Sequence, residues 1–390
     1  MEFYWFHHKK FGKMQNNYML KNLGLLFLIS VLLCSCMDKE KEVKYSFTQD
    51  TIIIAKNLQI KGFYEDKSGI YFYGKRYNCD SLFLYQEQNG HFEFYSFLKL
   101  PKSYLYSIKE LNSSIDLAFI NFDSVIAYTS QTIALLDLKN NTLLKLFHHS
   151  QSDDTCVLLN RGGKLMWNPE RKTLPMMIIC NDVSRRTWNY DTKFLGEFSL
   201  ETGEVNILPL IYPYVEEYYG NKNYYSGTDP MITFKREKYV VGFNTSPVIF
   251  TYTANNNKID SFFIVNSNYK PLDEVDTTGF SNPSNYINFI IEGSTYQFYF
   301  EQLVYDEYKD VYYRFFAKDM PKKNKEGLLN TLKDKQYGLT IIDKNLKVIG
   351  DALWEGKKTD YWVPSSKGLL GMSSSDDKVI IIKLTLTYEK

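Results

Sequence analysis

The sequence predicts an all-β fold, a six-bladed β-propeller, and three observations carry that prediction. The chain of 390 residues holds 32 tyrosines and 27 phenylalanines, and aromatic side chains suit a pleated, half-buried surface. Short apolar runs alternate with Asn- and Gly-rich turns, without the longer period of an amphipathic helix. The turns recur at a spacing close to that of a four-stranded propeller blade.

Taken in order, the hairpins are explicit. Ser81 to Tyr85 turns at Asn89-Gly90 into His91 to Tyr95, and Thr132 to Leu138 turns at Asn140-Asn141 into Thr142 to Phe147. Phe194 to Leu200 turns at Thr202-Gly203 into Glu204 to Leu208. Val248 to Thr253 turns through Asn255-Asn256-Asn257 into Lys258 to Val265, and Leu339 to Asp343 turns at Lys344-Asn345 into Leu346 to Ile349. Asn and Gly tolerate the positive φ that a tight turn between right-twisted strands demands. The intervals between turns are roughly 50 to 60 residues, with a last one of about 90, against 40–50 for a blade. The long interval contains the lysine-rich stretch Lys318 to Lys335, which reads as a surface insertion.

Room for another strand pair precedes each hairpin, as in Ile60 to Tyr64 followed by Gly69 to Gly74. The last strand, Val379 to Thr387, and the first, Thr51 to Ile54, each lack a partner. Pairing them closes a ring and removes both exposed edges. That count gives six blades. Promoting the turn at Tyr308-Lys309-Asp310 gives seven, and a pair of β-sandwiches is the other arrangement.

The N-terminus reads as an export signal. Leu23 to Leu33 is an uncharged apolar run preceded by Lys9, Lys10, Lys13 and Lys21, too short for a stable bilayer span and flanked as a secretory signal is. Leu33-Cys34-Ser35-Cys36 follows directly and resembles the lipobox of bacterial lipoproteins. The resemblance implies cleavage before Cys36 and a diacylglycerol on its sulfur. Residues 1–35 are then a signal peptide, with Met14 or Met19 as alternative starts. Residues 36–44 are the lipidated cysteine and a charged tether, and 45–390 the propeller domain. The tether, Met37 to Glu42, is similar to the export signal of surface lipoproteins in the Bacteroidetes. The expected address is the cell envelope, anchored to the outer membrane, with surface display and a periplasm-facing anchor as the two arrangements.

Composition excludes some partners. Lys plus Arg is 46 and Asp plus Glu 45, so no global field draws a polyanion and no nucleic-acid partner is expected. Beyond the anchor the cysteines are Cys79, Cys156 and Cys180. An oxidising compartment is compatible with one bridge among them, and spacing does not choose the pair.

No nucleophile elbow, phosphate-cradling loop or His-Glu-x-x-His stretch occurs, and no cofactor is implied. His91 reads as a solvated strand residue. His148-His149 with Asp153-Asp154 has metal-ligand residue types, but adjacent residues of a strand face opposite ways. Glu216-Glu217, Asp273-Glu274 and Asp376-Asp377 read as solvated turns. Two aromatic segments stand out as ligand-binding candidates. Tyr212 to Tyr225 includes Tyr214, Tyr218, Tyr219, Tyr224 and Tyr225, whose rings and hydroxyls suit sugar stacking or a peptide. Trp188 near Arg185 and Arg186 suits an anionic or planar ligand. Packing between blades is the alternative for both.

The late segment holds Val304-Tyr305-Asp306, Tyr312-Tyr313-Arg314 and Ile341-Ile342-Asp343. This order of aspartate turn, Tyr-Tyr-Arg strand and Ile-Ile-Asp hairpin is similar to that of the uncharacterised propeller-type lipoproteins of the Bacteroidetes. The resemblance implies the fold and the envelope address, and ties no function to particular residues. The functional expectation is a non-catalytic module binding a glycan or protein ligand. An envelope enzyme acting on glycans or peptides, or a structural partner of an outer-membrane complex, are the other readings.

Overall fold

The computed structural model describes residues 44–54, 58–76, 79–107, 115–129, 131–148, 156–159, 165–180, 193–210, 230–271, 283–354, 358–375 and 378–389. Twenty-four strands in these segments form six four-stranded sheets, the blades of a six-bladed propeller.

Blade 1 is β2 (Leu58–Asp66), β3 (Gly69–Arg76), β4 (Ser81–Gln88) and β5 (His91–Lys99). Blade 2 is β6 (Asp116–Asn121), β7 (Ser124–Tyr128), β8 (Thr132–Asp137) and β9 (Thr142–His148). Blade 3 is β10 (Cys156–Leu159), β11 (Thr173–Cys180), β12 (Leu195–Ser199) and β13 (Val205–Ile207). Blade 4 is β14 (Pro230–Lys235), β15 (Lys238–Phe243), β16 (Val248–Thr253) and β17 (Lys258–Phe263). Blade 5 is β18 (Tyr299–Asp306), β19 (Val311–Ala317), β20 (Tyr337–Asp343) and β21 (Val348–Trp354).

Blade 6 closes the ring. Its order is β1-β24-β23-β22, where β1 (Lys44–Ile54) comes from the start of the described chain and β22 (Tyr361–Ser365), β23 (Gly368–Ser375) and β24 (Lys378–Glu389) from its end. The pairing of first and last strands expected from the sequence is thus present. Tyr308-Lys309-Asp310 turns β18 into β19 within blade 5 and founds no seventh blade.

Burial follows position in the blade. The second strands lie between neighbouring sheets, so β19 is buried at each of its seven residues. A strand covered on both faces reads as a continuous apolar run. The fourth strands β5, β9, β13 and β17 are mostly exposed. Six apolar clusters fill the spaces between successive blades, and the one joining blade 6 to blade 1 packs Tyr361, Leu370 and Ile381 against Phe63 and Phe72. Blade 1 meets blade 2 through Tyr73, whose hydroxyl donates to the Leu117 carbonyl at 2.9 Å. Gly62 makes that possible, because a Cβ there would stand 2.4 Å from the Tyr73 hydroxyl.

The hairpin turns match their chemistry, with Asn89, Gly90, Asn141, Gly203 and Asn257 at positive φ. In the last hairpin the positive φ falls on Leu346 (63°), not on Asn345. A branched side chain is strained there, and its burial among Val240, Ile249 and Ile342 offsets the cost. The Asp343 carboxylate fixes the turn by accepting from the Asn345 and Lys347 amides, both at 2.8 Å.

Two helices depart from the strand-only expectation. These are α1 (Lys102–Ser107), after blade 1, and α2 (Pro283–Tyr296), leading into blade 5. The stretch from Pro321 to Asp334 is largely exposed, as expected of an insertion, whereas Lys335 at its end is buried.

Two buried charges join blades. Glu197 of β12 accepts from Arg171 Nε (2.5 Å) and Nη2 (2.7 Å) and from the Tyr239 hydroxyl of blade 4. Arg314 of β19 donates to the carbonyls of Phe243 (3.0 Å), Ser246 (2.5 Å) and Pro247 (3.2 Å), and lies over the Phe300 ring. Its planar fork reaches three acceptors of the neighbouring blade together, which a lysine ammonium does not reproduce. Arg314→Leu leaves those carbonyls without this donor and is expected to cost about 3 kcal/mol. Arg314→Lys should recover less than half of that loss in urea unfolding.

Candidate functional site

The first strands of the blades surround a central cavity of about 1270 Å³. Its walls come from β2, β6, β14, β18, β22 and the segment Leu165 to Glu170 before β11. The volume exceeds the usual 300–1,000 Å³ of a small-ligand pocket. Aromatic walls are supplied by Tyr64, Trp167, Phe234, Tyr305 and Trp362, among others, and polar groups by Asn168, Thr233, Glu301 and Lys358.

Near the start of β18 a β-bulge inserts Glu301 between Phe300 and Gln302. A bulge re-aims one side chain of an otherwise regular strand. Here it puts Glu301 in the cavity wall, its side chain 11% exposed. The carboxylate accepts from the Tyr299 hydroxyl at 3.3 Å and faces Lys358 Nζ at 3.6 Å. Burial pushes the Glu301 carboxyl up, and the Lys358 ammonium opposes that shift without cancelling it. Burial also pushes the Tyr299 hydroxyl up, with Glu301 adding to the effect.

Lys335 supports the group from behind. Its ammonium donates to the carbonyls of Ser294 (2.9 Å), Thr295 (2.9 Å) and Gln297 (2.7 Å), the C-terminal end of α2. That end carries partial negative charge and unpaired carbonyls. Burial lowers Lys335 to about 7, with Glu301 and Asp319 acting against the shift. The Tyr299 ring has Lys335 Nζ at 4.8 Å and Lys358 Nζ at 5.9 Å from its centroid. Next in the strand, the Gln302 amide donates to the Trp362 carbonyl (3.0 Å) and accepts from its N–H (2.7 Å), bridging β18 and β22. Glu301 and Tyr299 therefore sit on a framework strand and Lys358 just before β22, with one carboxyl, one phenol and one half-exposed ammonium directed at a shared space.

The opposite mouth is already engaged. Glu65 accepts from the Ser366 amide at 3.0 Å and from the Tyr308 hydroxyl at 2.9 Å. Lys235 pairs with Asp310, and Arg236 lies 3.8 Å from Glu170.

Cys36, Tyr214, Tyr218, Tyr219, Tyr224, Tyr225, Arg185, Arg186 and Trp188 lie outside the described residues. So do His149, Asp153, Asp154 and the three carboxylate pairs. The two aromatic segments follow Cys180 of β11 and Leu210 after β13, and those strands run in the same direction in their sheet. His91 and His148 are exposed strand residues. The described residues hold no group of three or more His, Cys, Asp or Glu suited to a metal ion, and no helix among them is long and apolar enough to cross a membrane. Glu301, Tyr299, Lys358 and Lys335 were not singled out by sequence. The usable signal was Glu301-Gln302, two polar residues interrupting an otherwise apolar strand.

A carboxyl raised by burial makes folding depend on pH. Its protonated form is favoured in the fold, so the contribution is full below the unfolded value and lost as pH rises through the raised folded value. Glu301→Gln is therefore expected to be more stable than the parent at pH 8. The difference should vanish near pH 4, as followed by thermal melting across that range.

Comparison with known proteins agrees with the architecture. Residues 178–353 match the family described as Domain of unknown function (DUF4221), a span from within β11 to the end of blade 5. A crystal structure of a DUF4221 family member from Bacteroides vulgatus superposes with a TM-score of 0.64 at 14% identity, covering 90% of this chain and 100% of that one. A Bacteroides fragilis protein described as a candidate exported protein gives 0.46 at 10% identity, covering 90% and 97%. A luciferin-regenerating enzyme gives 0.43 at 9% identity, covering 86% and 95%. No curated protein matches the chain. The chain is a six-bladed β-propeller that carries a DUF4221 match from its third blade through its fifth.

Proposed function

We propose that the chain is an envelope-anchored lipoprotein whose propeller binds a glycan fragment in its central channel without transforming it. The observation that carries the ligand class is the Glu301–Tyr299–Lys358 group in an aromatic-walled cavity. A carboxylate and an ammonium 3.6 Å apart accept from and donate to neighbouring hydroxyls of one sugar ring. Aromatic walls take the apolar faces of such rings, leaving polar groups to fix orientation. Glu301 and Tyr299 stand on β18, which holds them in place before a ligand arrives.

The address rests on the apolar run and Leu33-Cys34-Ser35-Cys36. Acylation at Cys36 supplies the anchor.

One observation favours an enzyme instead. A carboxyl raised by burial is the state a general acid needs near neutral pH. Glycoside hydrolysis needs a second carboxylate at a set separation, and the two readings predict different results with the same sugars.

Calorimetric titration with neutral, N-acetylated and uronic oligosaccharides tests the binding site. The parent is expected to bind one class, with Lys358→Ala and Glu301→Gln each weakening Kd at least tenfold. Unchanged affinity in both variants, or no binding by any class, removes this assignment. Turnover of a bound sugar that is lost in Glu301→Gln selects the enzyme. The anchor has its own test, since Cys36→Ala should move the protein from the membrane fraction to the soluble one. Unaltered partition of that variant rules out the lipid on Cys36.

A further inference from the structure

We propose that Cys156 and Cys180 are joined by a cross-strand disulfide that locks the innermost strand of blade 3. The register of β10 and β11 sets Cys156 directly opposite Cys180, with Val157, Leu158 and Leu159 opposite Ile179, Ile178 and Met177. Directly opposed residues of antiparallel strands have Cα atoms about 4.5 or 5.5 Å apart, depending on the pair type. Both values lie within the 4.4–6.8 Å that a disulfide spans. Cys79 is a free thiol on blade 1, so the register resolves which two of the three thiols pair.

The location gives the bridge a purpose. β10 has four residues, the shortest first strand among the described residues. In the other blades the first two strands are joined by tight turns, such as residues 67–68, 122–123, 236–237 and 366–367. In blade 3 residues 160–172 separate them, and a longer loop leaves the pairing less secured by its connection. Among the described pairs of this ladder the cysteines are the one farthest from the loop. At the other end Met177 lines the central cavity, so the bridge fixes one wall of the site.

The chemistry is thiol–disulfide exchange. A thiolate of the pair attacks the disulfide of an oxidant, an envelope dithiol oxidase or glutathione disulfide, and releases one oxidant thiolate. The second cysteine loses its proton and displaces the other oxidant sulfur. Two electrons pass to the oxidant, and both of its sulfurs leave as thiols. The oxidising compartment rests on the envelope reading above; the geometry rests on the register alone.

The test is peptide mapping of the full-length protein after alkylation and trypsin without reduction. Protein from the envelope should yield peptides 146–161 and 173–185 as one linked species, with Cys79 alkylated in peptide 77–99. A second sample, reduced and then equilibrated with glutathione disulfide, should form the same link. Separately alkylated or glutathione-capped Cys156 and Cys180 in that sample overturn the pairing, as does a link through Cys79. A link that forms with glutathione but is missing in cells, together with an intact uncut N-terminal peptide, locates the failure in export and leaves the pairing standing. In thermal melts dithiothreitol should lower the Tm of the parent and leave that of the Cys156→Ala/Cys180→Ala variant unmoved. An equal response in both excludes a stabilising bridge.

Discussion

Closure of the ring is the constraint on which the rest of the structure depends. β1 occupies the outer edge of a sheet whose other three strands lie more than three hundred residues later. Without it, β24 would present an unpaired edge and the two ends of the propeller would be tied by side-chain packing alone. With it, every blade has four strands, and six apolar clusters fill the spaces around the axis. Each sheet is then buried on both faces near its second strand. This is why β3, β7, β15 and β19 are apolar almost throughout, while the outer strands carry the polar residues.

The cavity is a consequence of that closure. First strands brought round one axis cannot fill the centre with backbone, and the inward side chains of β2, β6, β14, β18 and β22 line a space whose shape the blades hold fixed. Within it Glu301 depends on a local irregularity, the bulge, and on two lysines with different tasks. Lys335 is committed to the carbonyls at the end of α2, whereas Lys358 is 56% exposed and makes a single long contact to the carboxylate. Only the second is free to exchange that contact for a ligand. Shared fold carries no shared chemistry by itself, so the likeness to the Bacteroides vulgatus structure supports the scaffold and leaves the assignment to this group.

The fold was legible because its determinants are local and repeated. Asn-Gly at 89–90 and the asparagines at 140–141 and 255–257 mark hairpins through backbone conformations that few residues adopt, and the blade count follows from their spacing. Closure was legible from two strands left over at opposite ends. The helix α2 was missed although Asn282-Pro283 is a good helix start, because its Tyr- and Ile-rich sequence also suits a strand. The positive φ at Leu346 was invisible for a different reason, since tertiary burial of the side chain overrides the local preference. The candidate site was less legible still. Glu301 becomes significant through a one-residue register shift, and Lys335 and Lys358 reach it from an insertion and from the entry to blade 6, separations that no sequence spacing encodes.

The energetics of Glu301 argue that this group is more than structural. A buried carboxylate with one distant cation and one phenol loses more hydration than those contacts return, which is why its proton is held more tightly. Glu197 shows how this fold handles a carboxylate used for stability alone, with a bidentate guanidinium and a phenol packed around it. Glu301 lacks the second half of such a cage. Its remaining acceptor capacity faces the cavity, beside an ammonium that is also incompletely engaged. A ligand presenting hydroxyls to both groups completes the missing contacts, and the desolvation already incurred in folding does not have to be incurred again on binding.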